Sequence, residues 1–188
     1  MSTGAEGSAG RGRLLRVAVV MVAALVILGG VFAFTLYNNA EAATVATDVH
    51  AAFARHLTDF TSANETSLMA DFTPNATLAW VGETRGLGGT PGVTTVATPS
   101  LIGSFYSRFF VKFPSFSVSN VTYAVQAVGS GAVVNGSLVL LGGGPNVQSI
   151  MGQVTTTATY VHVNGEWLIS SETWNFVNLL VQSPLEGE

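Results

Sequence analysis

The sequence predicts an α+β domain in which three helices precede four long antiparallel strands, with one membrane-spanning helix ahead of them. Three observations carry this reading. Apolar residues recur at threes and fours between Thr47 and Phe110, the helical period. From Phe116 to about Val181 they alternate with polar ones, the strand period. Val17 to Tyr37 contains no charged side chain at all. A helix of that length spans about 31 Å, enough for the ~30 Å hydrocarbon core of a bilayer.

The first sixteen residues hold Arg11, Arg13 and Arg16 against Glu6, a balance of +2. Residues 38–188 hold Arg55, Arg85, Arg108 and Lys112 against ten carboxylates, a balance of −6, and the two sum to the net −4 of the 188-residue chain. A basic tail followed by an acidic domain fits the positive-inside rule: N-terminus in the cytoplasm, C-terminal domain outside, one crossing of the cytoplasmic membrane. The expected organisation is a disordered cytoplasmic tail over 1–13, a transmembrane helix over 14–37, a linker over 38–46, the domain over 47–181 and a tail over 182–188. Ala40-Glu41-Ala42 is a small-x-small cleavage site and keeps a cleaved signal peptide open, although such apolar regions run only about 7–15 residues. A pilin-like leader of a filament subunit is a third reading of the same start.

Composition excludes several classes. With no cysteine there is no disulfide, thiolate metal site or cysteine nucleophile. An acidic domain has no basic stripe for phosphates, so no nucleic-acid partner is expected. Asn64, Asn75, Asn120 and Asn135 begin Asn-X-Ser/Thr triplets in the outer part and are possible glycosylation sites.

Taken in order, the first helix is expected from Thr47 to about Thr61, burying Val49, Ala52, Phe53, His56, Leu57 and Phe60, with Thr47 or Asp48 as its cap. A short helix from Glu65 to Phe72 is capped by Asn64, buries Leu68, Met69 and Phe72, and is ended by Pro74. Thr77 to Val81 reads as a strand. Gly82 to Thr98 is interrupted by Gly86, Gly88, Gly89, Pro91 and Gly92 and reads as a long loop. Its glycines lack the spacing and the lysine of a phosphate-binding loop. Thr98-Pro99 starts a third helix to about Phe110, burying Ile102, Phe105, Tyr106, Phe109 and Phe110. The strands follow: Phe116 to Val128, Ala132 to Leu141, Val147 to Val163 and Glu166 to about Val181. Asn164-Gly165 marks a two-residue hairpin between the last two.

This order resembles the NTF2-like cone of SnoaL-like cyclases and ketosteroid isomerases. Phe53 through Phe72, with Ser62-Ala63-Asn64 in the turn, is similar to the family's helical hairpin. Phe72-Thr73-Pro74-Asn75-Ala76-Thr77 is similar to its approach to the first strand, and Ile102-Gly103-Ser104-Phe105-Tyr106 to its third helix. Tyr160 to Trp174 resembles the closing hairpin. The resemblance covers Thr47 to Phe176 and implies a cone of three N-terminal helices packed on one strongly curved antiparallel sheet, with an apolar pocket between them. It also tests the isomerase chemistry. His56 stands where those isomerases keep a phenol, Trp80 where they keep the carboxylate base and Thr159 where they keep a protonated acid. Tryptophan accepts no proton, so that mechanism is not expected.

No catalytic constellation, metal site or cofactor is expected. His50 and His56 lie six apart, on different helix faces. His56 and Asp59 are an i, i+3 pair able to form a dyad or a helix-surface contact. His162 reads as a cross-strand surface residue. The residues able to line a pocket are Phe53, His56, Asp59, Trp80, Phe105, Tyr106, Tyr123 and Trp174, although aromatics at such spacings serve cores more often. In layout the chain resembles the bitopic assembly factors of type IV secretion systems and the Mce-associated proteins. The leading expectation is therefore a membrane-anchored, non-enzymatic binding or assembly subunit of an envelope complex. Homodimer or hetero-assembly contacts are expected through the sheet face of Thr155, Thr157 and Thr159. The alternative is an apolar-ligand-binding protein or SnoaL-like enzyme. It uses His56 and Asp59 and requires His56 to face the cone interior with Asp59 beside it; both side chains in solvent, or an interior filled by Phe53, Trp80, Phe105 and Trp174, speaks against it.

Overall fold

The computed structural model describes residues 28, 33, 38–82, 94–144 and 147–182. The chain divides into two compact units, Met1–Ala43 and Thr44–Glu188. The tails at 1–13 and 183–188, most of the apolar run at 17–37 and most of the Gly-rich stretch (83–93) lie outside the described residues. No helix among the described residues is long and apolar enough to cross a membrane.

Residues 38–61 are helical, including the 38–46 stretch expected as a linker. Ala40, Ala42, Ala43 and Ala46 are strong helix formers and favour this state. Thr47 and Asp48 therefore lie inside a helix and do not cap one. The portion within the second unit, 44–61, is α1. It buries Val49, Ala52, Phe53, His56 and Phe60 along one stripe, while Leu57 is half-buried.

Asn64 caps α2 (Glu65–Ala70), its side-chain oxygen accepting from Ser67 N at 3.2 Å. The helix stops at Asp71, and β1 (Phe72–Gly82) begins at once, five residues before the expected start. Pro74 falls within β1, where the register with its neighbour shifts between Phe72 and Thr77; such an irregularity tolerates a residue without an N–H. Thr94–Val96, expected as loop, forms β2 and pairs antiparallel with β1. Three residues are too few for a readable alternation. α3 (Pro99–Lys112) begins with proline in its first turn and buries Ile102, Tyr106 and Phe109. β3 (Ser115–Val128), β4 (Gly131–Gly144), β5 (Val147–Val163) and β6 (Glu166–Gln182) complete the domain. Asn164 and Gly165, at φ 53° and 91°, make the two-residue turn between β5 and β6.

The architecture is α+β, with a six-stranded sheet in the order β2-β1-β6-β5-β4-β3. The sheet is mixed, where a wholly antiparallel one was expected, because β1 pairs parallel with β6. At the start of β1, Ile169 N donates to Asp71 O at 2.7 Å, which holds the strand alongside β6. Bulges at Ser119/Thr122, Gln153/Val154 and Thr159/Tyr160 bend the long strands. The inner face of this bent sheet and the three helices enclose one core, from Val49 and Phe53 on α1 to Trp174 and Phe176 on β6.

Candidate functional site

A chain of charged and polar groups runs through this core. Arg55 Nε and Nη2 both donate to Asp71 Oδ1, at 3.1 and 2.8 Å. The other carboxylate oxygen of Asp71 lies 3.1 Å from His56 Nδ1. His56 Nε2 stands 3.2 Å from Glu172 Oε1, an ion pair that is not aligned as a hydrogen bond. Tyr106 OH then donates to Glu172 Oε2 at 3.2 Å. The order is Arg55–Asp71–His56–Glu172–Tyr106, drawn from α1, the end of α2, β6 and α3. Only Arg55 reaches solvent; its side chain is 57% exposed, while those of His56 and Glu172 are at 0%.

Burial by itself pushes the His56 imidazole towards its neutral form. The charge of Glu172, with the hydrogen bond His56 donates to Asp71, overcomes that and holds its pKa up at about 9. At neutral pH His56 is therefore an imidazolium between two carboxylates. Desolvation, then Glu172, holds the Tyr106 phenol well above its ordinary value, and burial does the same for Tyr160. The hydrogen bond to Asp71 raises Arg55. Two cations face two carboxylates, so the buried cluster is close to neutral.

Around this chain, four further buried polar atoms make no hydrogen bond: Trp80 Nε1, Trp174 Nε1, Thr156 Oγ1 and Tyr160 OH. Each such atom costs about 1–3 kcal/mol where nothing satisfies it. Strand register places Trp80, Trp174 and Thr156 side by side, with Tyr160 further along β5 opposite Ile169. Trp174 is opposite both Trp80 and Thr156, and Glu172 is one inward position before Trp174 on β6. The Trp80 and Trp174 rings stack at 5.8 Å, with Phe105 and Phe109 edge-on to Trp80 at 4.6 and 5.3 Å.

Of the residues expected to line a pocket, Phe53, His56, Trp80, Tyr106 and Trp174 are buried in this interior. Phe105 is half-buried at its margin. Tyr123 is half-buried on β3 against Phe53 and His50. Asp59 is half-buried and takes no part in the chain: the carboxylate on His56 is Asp71. The i, i+3 spacing suggested Asp59, but the turn after α2 delivers Asp71 to the same helix face. His162 is exposed and stacks with Trp167, its cross-strand partner, at 5.0 Å. Asn64, Asn75, Asn120 and Asn135 are all exposed. Among the described residues no group of three or more His, Asp and Glu is arranged to hold a metal ion.

Sequence reasoning passed over Asp71, Glu172, Arg55, Tyr160 and Thr156. A signal existed for three of them. Glu172 shares the inward alternation of Trp174 and Phe176, and Thr156 and Tyr160 share that of Val154 and Ala158.

No protein-family model and no curated protein matches the chain. Solved structures do. An NTF2-like protein with a cystatin-like fold from Novosphingobium aromaticivorans superposes with a TM-score of 0.60 at 12% identity, over 76% of this chain and 88% of the other. A candidate scytalone dehydratase from the same bacterium matches at 0.60 and 9%, over 76% and 93%. A type 2 hexachlorocyclohexane dehydrochlorinase matches at 0.56 and 15%, over 76% and 91%. The domain has the NTF2-like, cystatin-like fold. At such identities the likeness extends to the fold and no further.

Proposed function

We propose that the domain binds a small, largely apolar molecule inside the cone and presents His56 to it as a cationic acid. The observation that carries this is the buried Arg55–Asp71–His56–Glu172–Tyr106 chain. Replacing buried ion pairs by packed apolar residues is often neutral or stabilising, so a charged cluster at this position is poorly explained by stability. Perturbed titrating groups gathered inside a cone are the mark of chemistry. With a pKa of about 9, His56 at neutral pH can donate a proton or a charged hydrogen bond but cannot accept a proton, which favours stabilising negative charge developing on a ligand oxygen. Among the structures that share the fold are a candidate scytalone dehydratase and a hexachlorocyclohexane dehydrochlorinase, which lend the reading a precedent.

This reading takes precedence over an assembly subunit, because a buried charged cluster contributes nothing to an outer docking face. Phe53, Trp80 and Trp174 do fill much of the interior. Entry therefore requires movement of half-buried Phe105, which covers the edge of Trp80. The test is protein-observed NMR of the full chain in detergent against a set of neutral aromatic fragments. At least one fragment is expected to shift the His56 imidazole resonances; a set that leaves them all in place overturns the reading.

Two further elements belong to the proposal. The uncharged run at 17–37 anchors the chain in the cytoplasmic membrane with the domain outside, which resistance of membrane-bound chain to alkaline extraction tests. The outward sheet face of Asn135, Ser137, Thr155 and Thr157 carries no charge among these residues and serves self-association. Thr157→Glu is expected to lower the sedimenting mass, and an unchanged mass removes that surface.

A further inference from the structure

One end of the sheet carries an exposed apolar row. Strand register aligns Val128 on β3 with Gly131 on β4, Val161 on β5 and Leu168 on β6, and directly opposed residues share a face. It is the outer face, because the next residues along, Ala132 and Tyr160, are buried. Val128 is 53% exposed, and Val163, two positions further towards the Asn164-Gly165 turn, is 37% exposed; Val161 and Leu168 are half-buried. The N-terminus of α1 lies at this same end, since α1 runs antiparallel to β3. Phe60 meets Phe116 at 5.0 Å, Phe53 and His50 meet Tyr123 at 4.8 and 4.7 Å, and Ala46, Thr47 and His50 share a cleft with Val125. Three more strand residues, about 10 Å, bring Val128 to the level where α1 begins at Thr44. The uncharged run ends at Tyr37, and helical residues 38–43 rise only about 9 Å before Thr44. The described cations stand elsewhere: Arg55 in the middle of α1, and Arg108 and Lys112 on the half of α3 that leads to the opposite end of β3.

We propose that this end of the sheet docks on the lipid surface, with Val128 and Val163 resting among neutral headgroups of the bilayer that holds residues 17–37. The inference rests on the anchor proposed above. A tether this short keeps the row at an effective concentration on the order of millimolar over the lipid, so a contact too weak to form between free molecules is populated. Exposed valines gain by leaving water for the apolar boundary beneath the headgroups. With Glu166 opposite Val163 and no described cation at this end, zwitterionic lipid is favoured over anionic lipid. The contact is therefore apolar and nearly independent of salt. A second copy of the chain is the competing occupant, but the face given to self-association above is the polar stretch of Asn135, Ser137, Thr155 and Thr157 further along the same strands.

The full chain is placed in phosphatidylcholine nanodiscs containing a small fraction of lipid with a nitroxide on its headgroup. Valine and leucine methyl signals, assigned by single substitution, are then recorded by NMR. Val128 and Val163 are expected to lose more than half their intensity, and Val161 and Leu168 to weaken with them. Val111 and Leu141 should keep theirs; Leu141 is ten residues along β4 from Gly131, about 33 Å away. Val128→Asp combined with Val163→Asp should restore Val161 and Leu168, with unmoved Val111 and Leu141 signals reporting an intact fold. Adding salt should leave the pattern unaltered. A chain that stays in the disc with Val128 and Val163 at full intensity overturns the docking and leaves the anchor standing. Equal loss at Leu141 and Val111 overturns it as well. An effect seen only after phosphatidylglycerol is added overturns the neutral class of lipid. A concentration-dependent shift of Val128 without any nitroxide effect gives the row to a second copy and overturns the docking. A chain that does not enter the disc removes the anchor together with this contact.

Discussion

Glu172 stands 3.2 Å from His56 Nε2 with neither side chain exposed, and this contact ties the helical layer to β6 at the centre of the domain. The pair gives the folded state a pH dependence whose sign is set. The His56 pKa is about 9 in the fold against about 6.5 in an unfolded chain, so the folded state holds the proton more tightly. Its stabilisation is complete below about pH 6.5 and is lost as pH rises through about 9. The amount is on the order of 3 kcal/mol. Thermal unfolding of the full chain from pH 6 to 9.5 is expected to show a falling midpoint, and His56→Gln should flatten that fall.

Glu172→Gln removes the largest charge holding the imidazole proton while keeping an acceptor for Tyr106. The His56 pKa is expected to drop by more than one unit. Breaking a buried pair from one side destabilises by about 3–5 kcal/mol. Histidine resonances followed across pH, with denaturant unfolding, measure both.

Arg55 makes the opposite prediction for the same proton. It shares Asp71 with His56, each on its own oxygen. Arg55→Ala frees Asp71 to act on His56 alone, so the His56 pKa should rise. The stability loss should stay within about 1 kcal/mol, because the arginine is largely in solvent. A fall in that pKa contradicts the arrangement.

Gly131 has its place for steric reasons. A Cβ there meets the Tyr160 backbone oxygen at 2.7 Å, and a strand backbone cannot yield as a side chain does. Gly131→Ala is expected to cost about 1–3 kcal/mol. Gly129→Ala is an informative contrast: its Cβ would meet nothing, and the penalty comes from φ +58° alone. Differential unfolding of the two variants separates crowding from backbone strain.

The elements were legible where a local signal wrote them. Asn164-Gly165 announced its hairpin, Thr98-Pro99 the start of α3, and the stripe from Val49 to Phe60 the buried face of α1. Half of the site was legible in the same way, because His56 sits on that stripe and Trp80, Tyr106 and Trp174 fall at inward positions. The partners were not. Asp71 follows a short helix and reads as an ordinary stop residue. Glu172 lies 116 residues beyond His56 and meets it only through the pairing of α1 with the inner face of β6. Nothing local encodes that pairing. The strand at Thr94–Val96 is illegible for a related reason: three residues take their state from pairing with β1 more than from their own pattern.

The most direct test of the account is the protonation state of His56. Imidazole ¹⁵N shifts of the full chain, recorded from pH 6 to 10, report both ring nitrogens separately. Both are expected to be protonated at pH 7.5, with a single titration near 9. A neutral tautomer at pH 7.5, with a midpoint at or below about 6.5, contradicts a buried imidazolium held between Asp71 and Glu172.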